Sequence, residues 1–347
     1  KTAYEIPKRD WSSDVCSSDL TIRRAGVGAE PSLRAWQAGC NAIREPIRAA
    51  VDAPSIEGEP PPLPARAASP EVEALRLRIQ NEFPPVAHPM LGAGLQRVLE
   101  YQDLDYGAEY LDRVAKLHRQ ALVAGGEAHG HLATIEAARW IAVAMAYDDI
   151  IRVADLKSRG ERFERIRREI GAQASEVVGT TEYFHPRLEE VASMLPVGMA
   201  QTLERSPGIR AWIEKRLSKG RRIRSHTIVG QLMLHGLASL RFMRRSSLRH
   251  QREQQHLEAW LARVEQAWSH SYLFAVEVIR CRRAIKGYSD THARGLSRFD
   301  RLMRAAEQLQ VRPDAAQALG SLLAASLADA SGAALERRRQ ALSMQPI

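Results

Sequence analysis

The chain has 347 residues, of which 45% are hydrophobic, and its formal net charge is +9. This length allows two domains with buried cores, and no apolar run approaches the ~18 to 20 residues that a membrane span requires. The three cysteines, Cys16, Cys40 and Cys281, form no CxxC pair, so neither a disulfide framework nor a zinc or iron–sulfur site is supported. Together with the lack of a recognisable secretory segment, this favours a reducing, cytoplasmic setting.

Residue usage favours helices over strands. Ala, Leu, Arg and Glu dominate the composition, and runs of β-branched residues are scarce. We therefore predict an all-α fold, a multi-helix bundle with one short extended segment near residues 176–187.

Residues 1–20 do not have the pattern of a folded segment. KTAYEIPKRDWSSDVCSSDL repeats Ser-Ser-Asp at a five-residue interval and lacks helical or strand periodicity. It resembles translated sequencing-adapter read-through, so we expect a non-native artefact and exclude it from fold prediction. On this interpretation the natural protein begins before Thr21 and the chain is a C-terminal fragment; a genuine disordered N terminus is the alternative.

Three regions follow that segment. Residues 21–50 are predicted to be the helical tail of a truncated domain. Residues 51–70 include SIEGEPPPLPARAASP, and this Pro-rich composition favours a semi-rigid linker. Residues 71–340 are then predicted to form a helical C-terminal domain.

Apolar residues at helical spacing predict the first helices of that domain over 70–81, 104–122 and 131–158. The third contains AARWIAVAMAY, which is apolar nearly all round and predicts the central buried helix of the bundle. Asp148 precedes Arg152 by four residues, which we interpret as an ion pair within one helix, with an acidic functional site as the alternative. An amphipathic helix follows, with its apolar positions at Phe163, Ile166 and Ile170.

The segment 176–187, EVVGTTEYFHPR, interrupts the helical pattern with β-branched and aromatic residues. We predict an extended segment that turns at Pro186. His185 and Arg187 flank this turn and are candidate anion-binding residues, and a purely structural turn is the alternative.

Positive charge is concentrated between Arg205 and Arg252. This stretch contains thirteen Lys or Arg residues and one acidic residue, Glu214, for a net charge of +12. Such a surface suits nucleic acid, an acidic membrane face or a polyanion such as coenzyme A. Nucleic acid is disfavoured, because no zinc-finger, KH or RRM signature is present and aromatic residues are not interleaved with the basic ones. A docking surface within an enzyme complex explains the same charge.

Two predicted helices meet at the polar segment KGYSDTHARG. The first has Tyr272, Val276 and Ile279 on one face, and the second opens at Leu296. Six residues of the intervening loop are candidate anion-binding or docking positions: Lys286, Tyr288, Asp290, Thr291, His292 and Arg294. The alternative is structural, with Asp290 capping the second helix and pairing with Arg294.

The segment RCRRAIKGYSDTHARG is similar to the R-LVKGYGDTHARG segment near the end of long-form indolepyruvate ferredoxin oxidoreductase beta subunits. Ser289 stands where that family usually has Gly. Blocks upstream resemble the same region in the same order: YQDLDY within 95–112, MAYDDIIRVADLKSR (145–159) and TEYFHPRLEEVASMLP (181–196). The stretch 21–39 is similar to the end of the gamma-type domain that precedes this region. The resemblance covers roughly residues 21 to 340.

This resemblance implies a subunit of an enzyme that converts indolepyruvate and related aryl 2-oxoacids, with coenzyme A, to acyl-CoA, carbon dioxide and reduced ferredoxin. Thiamine diphosphate and iron–sulfur clusters would belong to the partner alpha subunit. The chain itself would bind no cofactor, would support assembly or access to the active site, and would be inactive alone. The alternative is a basic helical nucleic-acid-binding or scaffold protein.

Overall fold

A computed structural model describes residues 30, 33, 34, 36, 37, 60–67, 69–173, 176–184, 188–217, 221–285, 289–329 and 332–345. The chain divides into two compact units, residues 1–59 and residues 60–347. The described residues of the first unit are helical, and Leu33 among them is buried. The second unit contains the predicted helical domain.

The described part of this second unit is all-α apart from one small sheet, as predicted. In chain order its helices are α1 (Pro70–Glu82), α2 (His88–Tyr101), α3 (Leu104–Val123), α4 (Leu132–Met145), α5 (Ile150–Ser158), α6 (Gly160–Glu169), α7 (Leu188–Met194), α8 (Val197–Glu204), α9 (Pro207–Leu217), α10 (Ile228–Ser239), α11 (Leu248–Ala267), α12 (Tyr272–Arg280), α13 (Ser289–Leu309), α14 (Ala315–Ala328) and α15 (Ala333–Ala341). Short 3-10 helices cover Pro85–Ala87, Gly126–His129, Leu240–Ser246 and Cys281–Ala284.

The sheet consists of two antiparallel strands, β1 (Thr181–Phe184) and β2 (Arg221–Arg224), with Thr181 opposite Arg224. The extended segment predicted near 176–187 is therefore confirmed for the part that forms β1. Its predicted turn at Pro186 lies outside the described residues.

One hydrophobic core joins α1 to α4 with α11 to α15. Helix α4 lies inside it and is contacted by α2, α3, α11 and α12, which confirms the predicted central helix. Small residues allow this close packing: a Cβ on Gly94 of α2 would lie 2.2 Å from the Tyr110 hydroxyl oxygen. That hydroxyl donates a 3.0 Å hydrogen bond to the carbonyl of Ala138 in α4, so glycine is required where these helices meet.

The single helix predicted over 131–158 is wrong, because the chain leaves helical geometry between α4 and α5. Asp149 has extended backbone angles and caps α5, its Oδ1 accepting a 2.6 Å hydrogen bond from the Arg152 backbone N–H. An Asp in this role starts a new helix instead of continuing the previous one. The predicted pairing of Asp148 with Arg152 is also wrong, since the Arg152 guanidinium pairs with Asp155 at 3.1 Å.

Two smaller apolar clusters lie beside the main core. One joins Ala154 of α5, Ile223 of β2 and Leu234 of α10, and the other joins residues of α7 and α8. Helix α6 forms as predicted over its amphipathic pattern, yet none of its residues is buried, so its apolar positions do not form a core face within the described chain.

Candidate functional site

The polar segment KGYSDTHARG is helical over much of its length, and its prediction as a loop is wrong there. Helix α13 begins at Ser289, well before the predicted start at Leu296. Short polar residues are favourable in the first turn of a helix, because they accept its unpaired N–H groups. The apolar face also extends further back than predicted: His292, Leu296 and Phe299 follow one another at helical spacing.

The six candidates of this segment lie in different environments. Lys286 and Tyr288 fall outside the described residues, and so do the side chains of Asp290 and Thr291. His292 is buried, whereas Arg294 is exposed. The other two candidates, His185 and Arg187, also lie outside the described residues.

His292 contacts a buried carboxylate in another helix. Its Nε2 lies 3.2 Å from Oε1 of Glu253 in α11, although the two groups are not aligned for a hydrogen bond. Oε1 of Glu253 is also 2.8 Å from the Arg249 guanidinium. Burial raises the pKa of Glu253, but the contact with His292 and the charge of Arg249 outweigh burial and hold that pKa below its usual value.

Arg282 completes this group from the 3-10 helix that precedes α13. Its Nη1 donates to Nδ1 of His256 at 2.5 Å, and its Nη2 lies 3.9 Å from Oε2 of Glu253. Its guanidinium carbon also lies 5.7 Å from the centre of the Trp260 ring, within cation–π range. Burial lowers the pKa of Arg282 to about 10, so it remains charged at neutral pH.

We call Glu253, His256, Arg282 and His292 the Glu253 cluster. Because the charged Arg282 donates to Nδ1 of His256, this nitrogen acts as an acceptor and the ring is neutral. Burial, followed by the charge of Arg282, lowers the pKa of His256 to about 4. The cluster therefore ties the start of α13 to α11, and it positions the exposed Arg294 on the outer side of α13.

A second buried polar group joins two of the sequence blocks noted above. Arg244 is 2% exposed, and its Nε donates to Oδ2 of Asp149 at 2.7 Å. Its Nη1 donates to the Tyr101 carbonyl at 2.5 Å and to Oε1 of Gln102 at 3.1 Å. Tyr101 and Gln102 belong to YQDLDY, and Asp149 belongs to MAYDDIIRVADLKSR, so the two blocks meet at one arginine.

The sequence patterns indicate no site role for Arg244, Glu253 or Arg282. Each is a charged side chain that a helical pattern assigns to a solvated face, and each becomes buried through partners distant in the sequence. The sequence does indicate that His292 is buried, because its spacing to Leu296 and Phe299 places it on the buried face of α13.

The two buried polar groups join helices of the described chain. No group of three His, Cys, Asp or Glu side chains is arranged there to hold a metal ion. Cys281 is fully buried, and burial raises the pKa of its thiol, so it is not an activated nucleophile. No described helix has the length and apolar character to cross a bilayer.

These features define a helical domain whose interhelical contacts include two buried polar groups. The chain belongs to a family of unknown function, DUF6537, which matches residues 87–305, well over half of its length. The matched span contains the Glu253 cluster and the Arg244 group. No curated protein and no solved structure matches the chain.

Proposed function

We propose that the chain is the helical C-terminal region of an indolepyruvate ferredoxin oxidoreductase beta subunit, and that it supports assembly with the alpha subunit or access to the active site. The observation that supports this most is the position of RCRRAIKGYSDTHARG, the segment with the closest resemblance to that family. Its Arg282 and His292 are buried in the Glu253 cluster, while Arg294, which lies on α13 with His292, is exposed. In this proposal, α13 presents Arg294 to an external partner.

The reaction class in this proposal is the oxidative decarboxylation of aryl 2-oxoacids to acyl-CoA with reduction of ferredoxin. Thiamine diphosphate and iron–sulfur clusters are assigned to the alpha subunit, which supplies the cofactor chemistry. The contribution of this chain is to hold a docking segment and to offer cations to a polyanion such as coenzyme A.

The proposed anion-binding residues differ in their burial. His292 faces Glu253 at 3.2 Å, so its role in the proposal is to position α13 rather than to contact a ligand. Arg294 is exposed and lies close to the N-terminal end of α13, where the helix dipole favours anions. Arg294 is therefore the described residue assigned to contact coenzyme A or the alpha subunit, together with Lys286 from the sequence prediction.

Co-expression with the alpha subunit tests the proposal. We expect the two chains to co-purify in a fixed ratio, and we expect indolepyruvate-dependent reduction of ferredoxin only in preparations that contain the alpha subunit. The isolated chain, supplied with thiamine diphosphate, coenzyme A and an electron acceptor, is expected to show no turnover. Turnover by the isolated chain, or failure of the two chains to co-purify, would contradict the proposal.

The net charge of +12 between Arg205 and Arg252 favours a second candidate, a basic nucleic-acid-binding or scaffold protein. This candidate predicts binding to duplex DNA or RNA with a steep dependence on salt concentration, because each neutralised phosphate releases counterions. A gel-shift series between low and physiological salt distinguishes it from the enzyme-subunit proposal.

A further inference from the structure

An apolar surface lies exposed on α10 and the 3-10 helix that follows it. The side chains of Ile228, Val229 and Leu232 are 81%, 69% and 68% exposed, and Phe242 is 74% exposed. Met233 lies beside them and is 41% exposed. We call these five residues the α10 surface. Single exposed apolar residues are ordinary, but the four on α10 share one helix face, and such a set marks an interaction site.

Helix α10 is held firmly from its other side. Leu234 is fully buried against Ala154 of α5 and Ile223 of β2, and Thr227 caps the helix by accepting a hydrogen bond from the Gly230 N–H. A Cβ on Gly230 would lie 2.0 Å from the Arg224 carbonyl oxygen, so the helix start fits tightly against β2. The α10 surface is therefore the outer side of a well-packed helix.

Within residues 221–245, the stretch that carries the α10 surface, all Lys, Arg, Asp and Glu positions have one sign of charge. Residues 221–245 contain six arginines and no Lys, Asp or Glu. Arg244 and Arg245 are paired with Asp149 and Glu109, and Arg224 and Arg241 are exposed. Within this stretch, Phe and Met are bordered by Arg, and no Lys or acidic residue is present. This is the composition of the centre of a protein interface.

We propose that the α10 surface docks another protein. The partner contacts this surface with an apolar helix face that is bordered by Asp and Glu. Acidic residues complement the arginines, and a second copy of this chain is disfavoured because it would bring the same cations. Two pairs are four residues apart, Ile228 with Leu232 and Val229 with Met233. Side chains at this spacing form the ridge with which one helix packs against another. Next along this ridge is Gly236, where a Cβ would meet nothing within 4 Å, which leaves room for a close approach.

This inference rests on the proposed function, which makes the alpha subunit the partner that carries the acidic, apolar helix. Its test is the affinity of the full chain for purified alpha subunit, measured by titration calorimetry. Leu232→Glu places a carboxylate at the centre of the surface and is expected to weaken binding at least tenfold. The matched control is Val123→Glu, since Val123 is also aliphatic, helical and 91% exposed, and it is expected to leave affinity unchanged.

A charge reversal tests the acidic character of the partner. The double variant Arg224→Glu, Arg241→Glu is expected to weaken binding several-fold at low salt and to reduce the salt dependence of the affinity. Melting temperatures of all variants should stay close to that of the wild-type chain, because the substituted side chains are exposed.

The outcomes separate the two proposals. If the wild-type chain binds the alpha subunit and Leu232→Glu binds equally well, the docking inference is overturned while the proposed function stands. If the wild-type chain does not bind the alpha subunit, both are overturned. Binding to phosphatidylserine vesicles that Leu232→Glu abolishes, with alpha-subunit binding unaffected, assigns the surface to a membrane and overturns the inference. Concentration-dependent dimerisation abolished by the same substitution assigns it to a second copy and likewise overturns it.

Discussion

His292 Nε2 lies 3.2 Å from Glu253 Oε1, and this contact joins the first turn of α13 to the second turn of α11. Both residues are 5% exposed. A buried carboxylate is stable only with compensating charges, and here Arg249 and Arg282 supply them. The contact therefore couples the position of α13 to the main core.

We predict that Glu253→Leu lowers the free energy of unfolding by about 3 kcal/mol, because it leaves the buried Arg282 without its carboxylate. His292→Leu should cost less, about 1 kcal/mol, since Glu253 retains Arg249. Chemical denaturation at pH 7 measures both changes. The control is Arg294→Ala, an exposed position outside the Glu253 cluster, which should cost under about 0.5 kcal/mol. Equal stability of Glu253→Leu and the wild type would contradict a compensating role for the cluster.

Stability should fall as the pH decreases from about 6.5 to about 4. The pKa of His256 is lowered to about 4 in the folded chain, whereas a histidine in an unfolded chain titrates near 6.5. Within this window the unfolded state binds a proton that the folded state excludes, so acid favours unfolding. Because His256 is partly exposed, the slope that it contributes should stay below about 1.4 kcal/mol per pH unit.

The variant His256→Gln isolates this contribution, because an amide oxygen can still accept from Arg282. Its free energy of unfolding should depend less on pH than that of the wild type between pH 4 and 6.5. Parallel profiles for the two proteins would show that His256 does not stay neutral in the folded state.

The Arg244 group predicts strong coupling between two sequence blocks. Arg244→Met leaves the buried Asp149 carboxylate unpaired and should cost about 3–5 kcal/mol of stability. In a double-mutant cycle with Asp149→Asn, the two losses should be non-additive by about 1–3 kcal/mol. The matched control is Arg245→Met, which alters a partly exposed pair with Glu109 and should cost no more than about 1 kcal/mol. Additive losses would mean that Arg244 and Asp149 act independently.

Two helical glycines should respond oppositely to alanine. Gly94→Ala places a Cβ 2.2 Å from the Tyr110 hydroxyl oxygen and should destabilise the chain by about 1–3 kcal/mol through overpacking. Gly236→Ala meets nothing within 4 Å and should stabilise α10 by about 0.5–1 kcal/mol, the usual helix preference for Ala. A thermal scan compares them, and a stabilised Gly94→Ala variant would contradict the close contact of α2 with Tyr110.

Local spacing predicts the buried faces of α12 and α13. Tyr272, Val276 and Ile279 are buried on α12, and Phe299 and Met303 are buried on α13, because apolar residues on one helix face require a covering partner wherever they occur. The all-α architecture is predicted by composition, since Ala, Leu, Arg and Glu dominate and β-branched runs are scarce.

The sequence predictions are wrong where contacts between residues distant in the sequence determine the structure. The chain leaves helical geometry before α5 because Asp149 caps that helix and binds Arg244. His292 lies in a helix and is buried against Glu253, which belongs to another helix. Hydropathy also marks residues 227–240 as apolar, but only the packing of α5 determines that Leu234 is covered while Leu232 is exposed.

In the proposed function, the Glu253 cluster positions Arg294 to contact the alpha subunit or coenzyme A. The most direct measurement is the affinity of wild-type chain and of Arg294→Ala for each of these partners, with the free energy of unfolding determined on the same samples. For Arg294→Ala we expect an affinity reduced several-fold for at least one partner and a free energy of unfolding changed by less than about 0.5 kcal/mol. Unchanged affinity for both partners together with a stability loss above about 1 kcal/mol would contradict it and leave Arg294 with a structural role.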